Sequence, residues 1–344
     1  MKRLNLAKLL SITVISSIFL MSCEDNDDNL DNDTGTGTYL YTSNNANGDI
    51  TYYNVTDMSD VTTTALLTSS TAADGIYYNP DEDVIVQASR SNFALEAYTN
   101  TSMSSSGTSI SVSIAGSTDM TSPRELAVNG DFYVVADNAD VDGDPDTADG
   151  RLYIYENTGS SFTLRNVITT DFKLWGIIFE GDDLYAIVDT TNELAVYTDF
   201  LSNTTDAAVS ATKTIAIEGL VRTHGLTYDA TSDTMILTDI AEATNGQDDG
   251  GFHVITNFMT KFSSTTDGGT LALTDQIRVA GSETMLGNPV DVAFDNATET
   301  VYIAEAGNNG GRILAFNNIG SGGNIAPVLN YDLASASSVY LVKY

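Results

Sequence analysis

Oxygen donors recur at alternate positions in the segment NADVDGDPDTADG, residues 138–150. With Asn138 as position 1, Asp140 stands at 3, Asp142 at 5, Gly143 at 6, Asp144 at 7 and Asp149 at 12. Donors in alternation, with a glycine at the sharp turn, suit a hard cation that takes roughly six to eight oxygens from one wrapped loop. The carboxylates from Asp140 to Asp149 repel one another unless a cation binds or water screens them. We therefore expect a structural Ca²⁺ held by Asn138, Asp140, Asp142, Asp144 and Asp149. Two features depart from the usual loop: Asp149 replaces a longer glutamate, and strand-like rather than helical sequence flanks it. A solvated acidic loop is the competing reading. Residues 242–251, with Asn245, Gln247, Asp248 and Asp249, form a weaker echo and a candidate lid or partner-contact loop.

Other reactive side chains are few. The chain has two histidines, His224 and His253, one tryptophan, Trp175, and one cysteine, Cys23. A single cysteine excludes a disulfide framework, a redox pair and a thiolate zinc site. No GxSxG, HExxH or Ser/His/Asp set can be assembled. Only 14 Lys and Arg oppose 47 Asp and Glu, a formal charge of -33. So acidic a chain offers no basic stripe to a phosphate backbone, so nucleic acid is excluded as a partner. With 42% hydrophobic residues it can still bury a substantial core.

Lys2, Arg3 and Lys8 precede an apolar run over 9–20, about half the length a membrane-crossing helix needs, as in a signal peptide. The stretch LMSC, residues 20–23, resembles a bacterial lipobox, which implies that Cys23 carries the lipid (palmitate among its acyl chains) and becomes the mature N-terminus. Residues 24–33 are mostly Asp, Glu and Asn and read as a solvated tether. That acidic run resembles the surface-export signal of Bacteroidetes lipoproteins, which implies an outer-membrane, lipid-anchored, cell-surface protein. The expected organisation is a signal peptide over 1–22, a tether over 23–37 and a folded body over 38–344.

From residue 38 onward, short alternating or continuous apolar runs are bounded by Gly, Asn, Asp, Ser and Thr, and no window sustains a helical period. The body reads as all-β. One unit recurs: GIYYNPDEDVIVQAS from Gly75, ELAVNGDFYVVAD from Glu125, GIIFEGDDLYAIVD from Gly176, GLTYDATSDTMILTD from Gly225 and DVAFDNATETVYIAE from Asp291. Their starts are 50, 51, 49 and 66 residues apart. A period near 50 with about four strands marks a β-propeller, since one blade cannot bury both faces alone. YLYTSN and DITYYNV supply second and third strands without a first, and SVYLVKY at the end supplies the missing one. We expect six four-stranded antiparallel blades, with the ring closed by the C-terminal strand. The unit at Glu125 lacks the usual glycine.

The unit GNPVDVAFDNATETVYIAEAGNNGGRILAF, residues 287–316, resembles an NHL repeat, and the others are similar to six-bladed propellers of the SMP-30/gluconolactonase-like group. That resemblance implies the fold and says little about activity, because propellers host hydrolases, lactonases and pure binding modules alike. The starts of first strands and the ends of second strands share one face of the disc. The first register gives Asp74, Arg124 with Glu125, Trp175, His224 and Asp291. The second gives Ser43, Ser89 with Arg90, Asp137, Asp189, Asp239 and Glu305. Acids recurring in every blade suit caps for backbone N–H groups. Residues that differ between blades, namely Asp74, Arg90, Arg124, Trp175, His224 and Asp291, are the candidate ligand-binding set, with Trp175 either a sugar platform or blade packing. The leading expectation is a binding or scaffolding module for an outer-membrane protein or glycan. The alternative is a metal-dependent lactonase or hydrolase around His224, Asp239, Asp291 and Glu305.

Overall fold

The computed structural model describes residues 37–344 apart from Pro145. The expected signal peptide, Cys23 and most of the tether lie outside the described residues. Six sheets are present, and each is one blade. Their inner strands, in ring order, are Ala336–Lys343, Ala73–Asn79, Pro123–Asn129, Leu174–Glu180, Leu226–Asp229 and Pro289–Asp295, and each contacts the next until the last meets the first. These define blades 1 to 6. Blade 1 is built from both ends of the folded chain. Ala336–Lys343 pairs antiparallel with Thr38–Asn44, from Thr38 opposite Lys343 to Asn44 opposite Ala336.

Six clusters of apolar side chains fill the six gaps between neighbouring blades. A strand in the middle of a blade is therefore covered on both faces. Val84–Ser89 is buried over its last five residues, as expected of a strand with a neighbour on each side. Each such Val, Ile or Leu contributes about 1.5–3 kcal/mol when fully buried.

Three blades exceed the expected four strands. Thr108–Ser109, Ala207–Ala208 and Thr270–Leu271 each add a parallel fifth strand to the outer edge of blades 1, 3 and 4. All three come from the connection between the third and fourth strands of the following blade, and they cover edges that would otherwise present free N–H and C=O groups. One short helix, Phe258–Ser264, was not signalled by periodicity because it is only 7 residues long. Phe258 and Phe262, four residues apart, are buried against Tyr185, and Asp233 Oδ1 accepts the N–H of Met259 at its start. Among the described residues no helix is long and apolar enough to cross a membrane.

Candidate functional site

A bulge near the start of the inner strand sets the site. In blade 2, Ala73 pairs with Ser89 and Ile76 with Gln87, so Asp74 and Gly75 together oppose Ala88. The same irregularity places Arg124 and Glu125 opposite Ala136, Trp175 and Gly176 opposite Ile187, and Ser337 beside Ser338. In blade 6 the extra residue is Val290. Bulges re-aim side chains at sheet ends. Here they create two stacked rings: an upper one of Ser337, Asp74, Arg124, Trp175, His224 and Val290, and a lower one of Ser338, Gly75, Glu125, Gly176, Gly225 and Asp291.

Four members of the upper ring, from Asp74 to His224, form one continuous chain of contacts. Arg90 Nε and Arg124 Nη1 lie 3.5 and 3.2 Å from Asp74 Oδ2, and Asn45 Nδ2 donates to Asp74 Oδ1 at 2.6 Å. The Arg124 guanidinium sits 4.0 Å from the centre of the Trp175 ring. His224 stacks on Trp175 with centroids 3.6 Å apart. Asp189 Oδ1 is 3.2 Å from His224 Nε2 and accepts from Nε and Nη2 of Arg222 at 3.0 and 2.8 Å. Trp175 therefore has Arg124 from the preceding blade and His224 from the following one against its ring, which answers for blade packing rather than a bare sugar platform. Burial lowers the His224 pKa against the pull of Asp189. Burial also raises the Asp189 carboxyl, but the His224 hydrogen bond and the His224 and Arg222 charges outweigh it and hold the group below its usual value.

The strand-ending acids divide. Asp137 accepts the N–H groups of Thr121, Ser122 and Ala139. Asp239 accepts those of Val221, Arg222 and Ala241. Glu305 accepts those of Gly287, Asn288, Gly307 and Asn308. These three are caps. Asp189 is different because blade 4 pairs Leu174 with Val188, so Asp189 stands one residue beyond the register of Asp137. Apart from the N–H of Thr190 beside it, it holds side chains.

Of the candidate ligand set, Asp74, Arg90, Arg124, Trp175 and His224 converge on the upper ring, whereas Asp291 belongs to the lower ring and faces the channel. Sequence reading passed over Arg222. Its signal was its place two residues before His224, at the end of the loop entering blade 5. His224, Asp239, Asp291 and Glu305 do not gather their ligand atoms within 4.8 Å. Among the described residues, Asp140, Asp142 and Asp149 do. In that loop Asp149 Oδ1 accepts the N–H of Val141, and Asp140 Oδ1 that of Gly143. Asn138 Oδ1 accepts the Ser122 hydroxyl, and Asp144 Oδ1 accepts the N–H of Asp146. The 242–251 loop is fixed on blade 6: Gln247 O accepts from Asn308 Nδ2, and Gln247 Nε2 donates to Gly307 O.

No protein-family model and no curated protein matches this chain. Solved structures do. A chain in the crystal structure of a nidogen–laminin complex is 14% identical with a TM-score of 0.58, covering 89% of this chain and 98% of its own. A Bacteroides fragilis protein provisionally named 6-phosphogluconolactonase is 12% identical with a TM-score of 0.58, covering 90% and 99%. Another of that provisional name from Bacteroides uniformis is 14% identical with a TM-score of 0.53, covering 87% and 84%. At such identities the likeness is one of fold.

Proposed function

We propose that this chain is a lipid-anchored, cell-surface binding propeller of an outer membrane, and that its upper ring receives an anionic glycan displayed by, or shared with, an outer-membrane protein. The observation that carries this reading is the gathering of Arg90, Arg124 and Arg222 around one mouth in a chain with only 14 basic residues. Two aspartates, Asp74 and Asp189, orient the three guanidiniums. Phe93, 43% exposed three residues after Arg90, and Val221, 53% exposed beside Arg222, offer apolar edges to a sugar ring. Guanidinium pairs recognise carboxylates through parallel donors. The test is binding of an oligogalacturonate against its neutral methyl ester by the anchor-free protein. Saturable binding of the acid alone, lost in Arg90→Gln/Arg222→Gln, supports the reading. Equal binding of both forms, or none, ends it. Retention of an outer-membrane protein in a detergent pull-down would identify the partner.

A lactonase remains the second reading, favoured by the buried Asp291 and half-buried Glu125 carboxyls in the channel and by the provisional names of two similar structures. Turnover of gluconolactone or its 6-phosphate by the native chain, abolished in Asp291→Asn, would establish it.

Ca²⁺ on Asp140, Asp142 and Asp149 belongs to this proposal as a structural ion that would fix the long loop of blade 3.

A further inference from the structure

The lower ring carries glycine in blades 2, 4 and 5 for a steric reason. A Cβ on Gly75 would stand 2.5 Å from Leu126 N, on Gly176 2.4 Å from His224 O, and on Gly225 2.5 Å from Asp291 Cα. Blades 1, 3 and 6 place Ser338, Glu125 and Asp291 at the same register. Ser338 Oγ lies 3.0 Å from Glu125 Oε2 and 2.8 Å from Asp291 Oδ2. One hydroxyl has one proton, so it cannot donate to both carboxylates. For both contacts to be hydrogen bonds, one carboxyl must itself be protonated and donate to Ser338.

No cation of the described residues answers this pair. Asp74 has Arg90 and Arg124, Asp189 has Arg222 and His224, and Asp295 has Lys343. Glu125 is left with the N–H of Leu126 and Ser338, and Asp291, only 6% exposed, with Ser338 and the N–H groups of Val292 and Val339. Unpaired carboxylates in such surroundings are costly. The two form one end of an axial cavity of about 460 Å³, walled by Ile76, Ala127, Ile177 and Leu226, with Asp229 and Lys343 at the opposite end of the inner strands. That volume suits a small molecule.

We propose that this cavity binds a compact organic cation, an ammonium or guanidinium head on a short aliphatic body, with the head between Glu125 and Asp291. Such a head supplies the donors and the positive charge that the pair lacks, and the body covers the Ile177 and Leu226 wall. Asp229 at the far end and the acidic surface favour entry of a cation. The site lies below the anion-binding ring and selects the opposite charge, so it is independent of the proposed glycan site. Arrival of the head displaces the shared proton. Burial raises both carboxyls, Asp291 to about 7, so binding tightens as pH rises through neutrality. The groups that face the pair are Asp74 of blade 2 with Arg124 bound to it and Ser338 of blade 1. Blade 5 meets it with the Gly225 backbone, and blade 4 lines the cavity below with Ile177.

Calorimetric titration of the anchor-free chain with butylammonium and butylguanidinium, beside neutral 1-pentanol, tests this. The expected result is saturable binding of the cations with proton release, at least about tenfold weaker in Asp291→Asn and in Glu125→Gln. Ala127→Leu, which narrows the cavity and keeps both acids, is expected to weaken binding as well. Arg90→Gln/Arg222→Gln should leave amine binding unchanged, so failure here is separable from failure of the glycan reading. Equal binding of the alcohol, undiminished affinity in a folded Asp291→Asn, displacement of the amine by Mg²⁺ at matched ionic strength, or no heat at millimolar amine would each overturn the proposal.

Discussion

Trp175 and His224 lie face to face, with ring centroids 3.6 Å apart and planes 4° from parallel. Because Trp175 is the only tryptophan, its fluorescence reports on this imidazole. Burial lowers the His224 pKa below 6.5 despite Asp189. A histidine whose folded pKa is depressed contributes stability that is present above its unfolded pKa and lost as pH falls below it. We expect emission to change with a midpoint under 6.5, and the change to vanish in His224→Gln. A midpoint at or above 6.5 would show that the Asp189 contact outweighs burial.

Asp291 gives the opposite sign. Its folded pKa, about 7, exceeds the ordinary 3.8 because of burial, so the folded state holds more protons between those values and stability falls as pH rises across them. Asp291→Asn removes the titration and keeps an oxygen for the Ser338 hydroxyl. Its stability, and its melting temperature with it, should overtake that of the native chain between about pH 5 and about pH 8, by a free energy on the order of a few kcal/mol at the upper end. Parallel stability curves for the two proteins would mean that Asp291 titrates normally.

The blade repeat was legible because its signal is periodic: each unit repeats a glycine or acid, two short apolar strands and a polar turn, and the closing strand SVYLVKY had an evident gap to fill. The caps Asp137, Asp239 and Glu305 were legible for the same reason. What periodicity hides is the single-residue offset. The pairing of Leu174 with Val188 moves Asp189 from capping the backbone to holding Arg222 and His224, whereas Asp291 starts its unit where Gly75, Glu125, Gly176 and Gly225 start theirs, so the aligned units themselves set it in the lower ring and not beside Asp74 and His224. The missing glycine at Glu125 was the visible trace of the lower ring. Its meaning needed the pairing that sets Ser338 and Asp291 beside it.

Ring closure makes the last strand indispensable. Val339 and Val342 are 5% and 6% exposed and Ala336 is fully buried, and the strand touches blades 2 and 6 as well as its own sheet. A chain ending at Ser335 would bare both of those interfaces and the edge of Thr38–Asn44. The loss is comparable with the roughly 5–15 kcal/mol that holds a domain together. We expect no cooperative melting transition for this truncation. A cooperative transition near that of the full chain would show that five inner strands suffice.

The acidic loop of blade 3 offers the sharpest ion test. Asp140 and Asp142 are exposed and Asp149 is buried, yet their oxygens come within 4.8 Å of one another. Held at that separation without a cation, three carboxylates raise the energy of the folded loop, and a divalent ion would turn the repulsion into attraction. Millimolar Ca²⁺ should raise the melting temperature, and Asp149→Asn should remove most of the rise, since Asp149 links the loop to the strand Gly150–Asn157 that follows it. Asn138→Ala should remove little, because Asn138 is turned toward Ser122. Equal losses from both substitutions would mean that the loop closes around the ion through a wider donor set than these three carboxylates, and no response to Ca²⁺ would leave it a solvated acidic surface.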